Sequence, residues 1–380
     1  MSRGSITRRG KASWRLKFDV GTDAAGRRQT RYVTVRGRLQ HAQRELTRLL
    51  AASDAGTLPE PRSTTVAEYI RAWLDGQHGL RGKTAERYRQ LAEGQIIPHI
   101  GTVQLQKLRP THIEDWHAQL QKPNMRGRAL SARTVGHAHR VLHRALARAM
   151  SAELVSRNVA SAIRPPRVEQ QEIEILSTDQ IGLVLDKLQG RQLYPIAALA
   201  LATGLRRGEL LALQIGDFDL DAAVLRVERS LEETAAGLRF KPSKTKHGRR
   251  SISLPAHAVA VLRTHWRQQL ERRLALGLGK PEPATLVFSH HDGAPISPDN
   301  LSRDWRRACR SLKLPLVMFH ALRHTHASAL IASGLDVVQI SRRLGHSSPV
   351  VTLRTYAHLF ANSDSAAAAI ENVLRTPREQ

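Results

Sequence analysis

Two proline-bearing breaks constrain this chain more than any other feature, because they separate segments whose apolar residues repeat with different periods. The first break, residues 55–63, contains Gly56, Pro59 and Pro61. The second, residues 164–176, opens on Pro165 and Pro166 and continues as a mostly charged and polar run. Both compositions belong to extended connections rather than to helices or strands. A chain of 380 residues is long enough for two or three domains, and 41% hydrophobic content suffices for a core in each. The breaks delimit residues 1–55, 64–160 and 177–380.

In the first segment Trp14, Leu16, Phe18 and Val20 alternate with Arg15, Lys17 and Asp19, the period-2 pattern of a half-buried strand. Turn residues lie between Gly21 and Gly26, a second strand is predicted at Arg28 to Arg36, and a helix from Leu39 to Ala52. In the second segment Thr65 and Glu68 form a capping box, and Val66, Tyr69, Ile70, Trp73 and Leu74 share one helical face. Further helices are expected at Thr84 to Ile97, where Pro98 and Gly101 should stop it, at Pro110 to Leu120 and at Ala132 to Met150. The third segment begins with helices, passes through β-type runs at Val224 to Leu231, Leu238 to Lys241 and Arg250 to Leu254, and returns to helices. The expected class is multidomain α+β.

Charge narrows the partners. Lys and Arg number 59 against 33 Asp and Glu, a formal net charge of +26, and thirteen basic against three acidic side chains place +10 in the first 50 residues. Such a surplus is tolerated when a polyanion neutralises it, which makes nucleic acid the leading partner. Arg15, Lys17 and Arg31 on an open sheet face are candidate DNA contacts. Arg133, Arg140, Arg144 and Arg148 on the outer face of the last helix of the second segment either meet phosphates or merely solubilise it. The longest apolar stretch, Leu193 to Ala202, is about half of a membrane span, so no membrane association is expected. No apolar leader follows Met1, and the single Cys309 forms no disulfide within the chain. Both facts fit a reducing cytoplasm.

The chemistry lies in the third segment. Thr203-Gly204-Leu205-Arg206-Arg207-Gly208-Glu209 places an arginine and a glutamate one helical turn apart, so that Glu209 can orient the Arg206 guanidinium. Later come His320-Ala321-Leu322-Arg323-His324-Thr325-His326, Leu344-Gly345-His346, and Thr355-Tyr356. The pair His320 and His324 has zinc-helix spacing, but Ala321 stands where a His-Glu-x-x-His protease has its glutamate. Two always-charged guanidiniums suit a phosphodiester, whose transition state gathers charge on its non-bridging oxygens. A phenol is a poor nucleophile at neutral pH and needs a base and a positive field.

These boxes resemble the tyrosine recombinase (phage integrase) family over residues 177–360 and, more loosely, before them. Arg206 and Glu209 match the family's first box, His320 and Arg323 its His-x-x-Arg box, His346 its Leu-Gly-His box, and Tyr356 its nucleophile, ten positions after His346. Ala321 departs from the usual Asp or Gly, and Ser253 from a common Pro. The resemblance implies that Arg206 and Arg323 clamp the phosphate, His320 with the arginines activates Tyr356, His346 donates a hydrogen bond to the phosphate, and a hairpin lysine protonates the departing 5′-hydroxyl. Lys244, in Ser-Lys-Thr, is preferred to Lys246 for that role. Attack would leave a 3′-phosphotyrosyl bond, requiring neither ATP nor metal.

The same resemblance implies a small three-stranded β-sheet plus helix (1–55) that binds arm-type DNA, a helical SAM-like core-binding domain (64–160), a linker (164–176) and a mostly α catalytic domain with a small antiparallel sheet (177–380). The last two domains would clamp double-stranded DNA at attachment sites. A tail helix carrying Ala366, Ala369, Ile370, Val373 and Leu374 either closes its own core or docks on a neighbour in a homotetramer. The basic first module favours integration and excision of a phage or other mobile element in the bacterial nucleoid, with an excision factor and a host DNA-bending protein as possible partners. The alternatives are a Xer-like dimer-resolving recombinase, a topoisomerase using Tyr and two Arg, and a DNA-binding protein on the same fold that no longer cuts.

Overall fold

A computed structural model describes residues 4–22, 27–54, 62–77, 79–80, 82–123, 127–169, 173–242 and 248–360. The chain divides into two compact units, Met1–Gln170 and Gln171–Gln380. The preferred hairpin lysine Lys244, its rival Lys246 and the expected tail helix lie outside the described residues.

The first unit begins with an antiparallel sheet in the order β1 (Gly4–Gly10), β2 (Ser13–Thr22), β3 (Arg28–Arg36), followed by α1 (Leu39–Asp54). Alternation marked two of these strands; β1, Gly-Ser-Ile-Thr-Arg-Arg-Gly, is too polar to show it. Leu16 and Phe18 are buried with Val35 against Ala42 and Leu49 of the helix. Directly opposed residues share a face, and Lys17 stands opposite Tyr32 and Arg15 opposite Thr34, so both basic residues lie on the open side. The Arg15 guanidinium covers the Tyr32 ring at 4.4 Å. Arg31 differs from the expectation: it stands opposite the buried Phe18, on the face that α1 covers. Its even spacing from Val33 and Val35 explains this, since strand faces alternate with period 2.

The helical part of the same unit has its own core, centred on Ile70, Trp73, Ile96, Ile113, Trp116, Leu142 and Leu146. Helix α2 (Val66–Asp75) starts at the expected capping box: Thr65 Oγ1 accepts from Glu68 N at 3.2 Å, and Glu68 Oε2 accepts from Thr65 N at 2.8 Å. Next, α3 (Gly82–Leu91) ends earlier than expected, but helical structure continues through Pro98 and stops at Gly101. A π-helical turn at Ala92–Ile96 lets the chain resume as α4 (Ile97–Ile100), with Pro98 in its first turn, where a missing N–H costs little. Helices α5 (Pro110–Gln121) and α6 (Ala132–Ser151) match their expected spans closely. Arg133, Arg140, Arg144 and Arg148 are exposed along α6, while Val135, Ala138, Leu142, Ala145 and Leu146 are buried behind them. Arg144 Nη1 donates to the Tyr88 hydroxyl at 3.2 Å.

The second unit opens with α7 (Thr178–Leu188) and the buried α8 (Leu193–Thr203), then a single turn, α9 (Arg207–Leu210). The run expected as one strand from Val224 to Leu231 is two. Strand β4 (Phe218–Asp219), β5 (Val224–Val227) and β8 (Arg250–Ser253) form one sheet; β6 (Arg229–Thr234) and β7 (Gly237–Pro242) form a separate hairpin. Leu225 and Val227 of β5 and Leu231 of β6 fall on one period-2 register, so the break at Glu228 leaves no mark on the pattern. Helices α10 (Ala256–Ala275), α11 (Pro298–Ser311), α12 (Ala321–Ala332), α13 (Val337–Leu344) and α14 (Pro349–Phe360) complete the described part. Its main core joins α8, β5, β8 and α11 around Leu199, Leu225, Ile252 and Trp305. A smaller apolar cluster unites Ala327 and Ile331 of α12, Ile340 and Leu344 of α13 and Tyr356 of α14. Among the described residues no helix is long and apolar enough to cross a membrane.

Candidate active site

Two left-handed helix ends shape the site. Gly204 caps α8 at φ +65°, and Gly345 caps α13 at φ +67°, a conformation that favours glycine. Space demands glycine at the first position as well: a Cβ on Gly204 would lie 2.6 Å from the His326 ring and 2.9 Å from Leu344. These turns aim backbone carbonyls inward. Arg323, only 3% exposed at the start of α12, donates through Nη1 to the Gly204 carbonyl at 2.7 Å and through Nη2 to the Leu344 carbonyl at 2.8 Å. Arg206 Nη2 donates to the Gly345 carbonyl at 2.9 Å. Thus the Thr-Gly-Leu-Arg box meets the His-x-x-Arg and Leu-Gly-His boxes, more than a hundred residues further on, through two guanidiniums.

Glu209 is the anionic hub. Its carboxylate accepts from Arg206 Nη1 at 2.7 Å and from the Arg206 backbone N–H at 3.0 Å, as the i,i+3 spacing predicted. Sequence reasoning missed the third member: Arg250 of β8, 7% exposed, donates through Nη2 to Glu209 at 3.0 Å and through Nε to the Arg343 carbonyl at 2.7 Å. Burial alone would raise the Glu209 pKa, but Arg250 and then Arg206 overcome it and hold the carboxyl below the usual range. Burial, and then the neighbouring Arg206, lowers Arg323 to about 9, which leaves it charged at neutral pH.

The histidines divide by partner. His326 has its ring fixed: Nδ1 faces the Leu201 carbonyl at 2.7 Å, which only accepts, and Nε2 receives a hydrogen bond from Arg343 Nε at 3.1 Å. It is therefore the neutral Nδ1–H tautomer, and both its nitrogens are engaged. His346 Nδ1 lies 2.8 Å from Thr352 Oγ1, and burial followed by Arg323 and Arg206 lowers its pKa to about 4. His320 is lowered likewise to about 4, by desolvation and then by His324 and Arg323, although the residue stands exposed at the edge of the site. Tyr356 is 1% exposed, and its hydroxyl lies 2.7 Å from Nδ1 of His324, a residue not expected at the site. Burial raises the phenol to about 12 against the opposing pull of Arg323. Among the described residues no group of three or more His, Cys, Asp or Glu is placed to hold a metal ion.

Five of the six expected catalytic side chains, Arg206, His320, Arg323, His346 and Tyr356, thus lie in one constellation with Glu209; Lys244 is the sixth. A sequence profile described as "Phage integrase family" matches residues 169–363, more than half of the chain. The chain belongs to the phage integrase family. It is a tyrosine-type site-specific recombinase by that membership. A second profile, "Phage integrase, N-terminal SAM-like domain", matches residues 65–121 of the integrase chain. An integrase of Streptomyces ambofaciens is 30% identical over 359 residues, covering 90% of this chain and 88% of the relative. Among solved structures the Tn1549 transposon integrase in complex with transposon right end DNA superposes with a TM-score of 0.68 at 22% identity, over 82% of this chain and 99% of that one. Lambda integrase, solved as a tetramer bound to a Holliday junction, gives 0.55 at 17% identity, over 90% of this chain and 92% of its own. Both share the fold.

Proposed function

We propose that this recombinase cuts double-stranded DNA at attachment sites by attack of Tyr356 on a phosphodiester held between Arg206 and Arg323, and rejoins it to a new partner strand. The observation that carries this reading is the meeting of both guanidiniums at the Gly204 and Gly345 turns, with His346 close enough that their charge depresses its pKa. Attack forms the Tyr356 Oη–phosphorus bond and releases a 5′-hydroxyl, leaving a 3′-phosphotyrosyl linkage that conserves the phosphodiester energy. Neutral His346 donates a hydrogen bond to a non-bridging oxygen, His320 lies at the rim of the same site, and Lys244 supplies the leaving group's proton. No ATP or metal takes part in this scheme.

The domain roles follow the chemistry. Residues 1–55 grip arm-type DNA with the open sheet face bearing Arg15 and Lys17, residues 64–160 bind the core site with Arg133, Arg140 and Arg144 on the DNA side, residues 164–176 link them to the chemistry, and residues 177–380 cut. Four copies act on two duplexes, joined by the tail helix, and the reaction integrates and excises a mobile element with an excision factor and a DNA-bending protein as auxiliaries in the nucleoid.

The test is incubation with a nicked suicide substrate carrying the element's own attachment site. Wild type should give a denaturation-resistant protein–DNA adduct and Tyr356→Phe none. An adduct with the Phe variant, or none with wild type, refutes the mechanism. Deleting residues 1–55 should leave weak core cleavage and abolish integration; unchanged integration refutes the arm-binding role.

A further inference from the structure

We propose that His324 is the general base of the reaction, taking the phenolic proton of Tyr356. The proposal rests on Tyr356 being the nucleophile and assigns a residue outside the expected catalytic set. Its geometry is direct: His324 Nδ1 lies 2.7 Å from the Tyr356 hydroxyl, within the range at which a base abstracts a proton. The tyrosine is 1% exposed, so bulk water is a poor competitor for that proton. His320 contacts the His324 ring edge-on, with centroids 4.9 Å apart.

Charged and titratable groups surround the pair. From α12, Arg323 and His320 face it; from the turn before α14, His346 does; from α14, Tyr356 itself. Burial and then Arg323 lower the His324 pKa, which favours the neutral ring, and the proposed role uses the tautomer with hydrogen at Nε2, whose Nδ1 lone pair faces the Tyr356 hydroxyl. The same Arg323 favours the phenolate. In the forward step the Oη–phosphorus bond forms, the phosphorus–O5′ bond breaks, the phenolic proton passes to Nδ1, and the departing 5′-oxygen takes a proton from a separate acid. In rejoining, the 5′-hydroxyl attacks, and the leaving Tyr356 oxygen recovers its proton from Nδ1. Atoms and charge balance without a co-reactant.

The experiment measures single-turnover adduct formation on the suicide substrate from pH 5 to 9, using the full chain. His324→Asn retains an acceptor oxygen near the Nδ1 position but cannot take the proton, so it separates a base from a mere hydrogen-bond anchor. The expected result is a loss of about 10²- to 10⁴-fold in both His324→Ala and His324→Asn, disappearance of the acid limb of the pH profile, and partial recovery of His324→Ala by added imidazole. A His324→Asn rate within threefold of wild type, or an unchanged acid limb, overturns the proposal. Adduct formation by Tyr356→Phe, or its absence in wild type, overturns the nucleophile assignment beneath it and is distinguishable because His324 is intact in both proteins.

Discussion

Removing Arg250 tests whether Glu209 is a true hub. In the wild type the Glu209 carboxylate, 5% exposed on its side chain, accepts from four N–H groups, two from Arg206 and two from Arg250, the latter at 3.0 and 3.5 Å. Arg250→Met keeps most of the volume and removes both of those donors and the bond to the Arg343 carbonyl. One strong charge-assisted hydrogen bond contributes about 1.5–3 kcal/mol, and stripping one partner from a buried ion pair costs about 3–5 kcal/mol. Because Arg206 stays, about 3 kcal/mol is expected, a fall of about 6–12 °C in the melting of the catalytic unit by calorimetry of the full chain. The pH dependence has a definite sign. Glu209 has a depressed folded pKa, so its contribution is present above the ordinary carboxylate pKa and is lost as pH falls through the folded value. In Arg250→Met the pKa rises, and the deficit should shrink as pH drops from 7 to 5 and the carboxyl becomes neutral. Glu209→Gln combined with Arg250→Met should recover a large part of the loss, because no buried charge is then left uncompensated. A single-variant cost under about 1 kcal/mol, or a double variant no more stable than the single, would refute the hub.

Three further expectations follow from particular contacts. Gly204→Ala imposes a Cβ 2.6 Å from the His326 ring at a left-handed φ, and about 2–4 kcal/mol of destabilisation is expected by urea unfolding; a neutral variant would mean that the turn relaxes. The buried His139 Nδ1 lies 3.2 Å from His117 Nε2, and desolvation lowers His139 to about 4, so stability held above pH 6.5 should decline as pH falls toward 4, by at most about 3 kcal/mol. His139→Leu should flatten that part of the stability curve, and an unaltered slope would assign it to the carboxylates. Arg140→Ala on the exposed face of α6 should lower the slope of log affinity against log salt by about 1 in DNA-binding titrations; an identical slope means the arginine only solubilises the helix.

Legibility in the sequence depended on the range of the interaction. The capping box at Thr65, the faces of α2 and α6 and the Arg206–Glu209 pair are local, and each was readable because its partners lie within one or two helical turns. The boxes around Arg323, His346 and Tyr356 were readable as a constellation because the family holds their order and spacing. What escaped was set by tertiary geometry. Arg250 reaches Glu209 across 41 residues and His324 reaches Tyr356 across 32, and neither residue carries a local signature of its partner. The π-helical turn ahead of Pro98 shares a core with its flanking helices through Leu91, Ile96 and Ile100, and the side on which Arg31 falls depends on where α1 lies.

The anchoring of Arg323 has an electrostatic consequence. Its two acceptors, the carbonyls of Gly204 and Leu344, lie at the C-terminal ends of α8 and α13, where each helix presents the negative end of its dipole. The guanidinium is thereby fixed by partial charges that belong to the backbone and do not titrate. An arginine oriented by a carboxylate must share its charge with a rival anion, and an incoming phosphate has to compete with that rival. Arg323 donates to no carboxylate in this way, so under the proposed mechanism a phosphate would meet a cation already in position, with no hydrogen-bonded anion to displace.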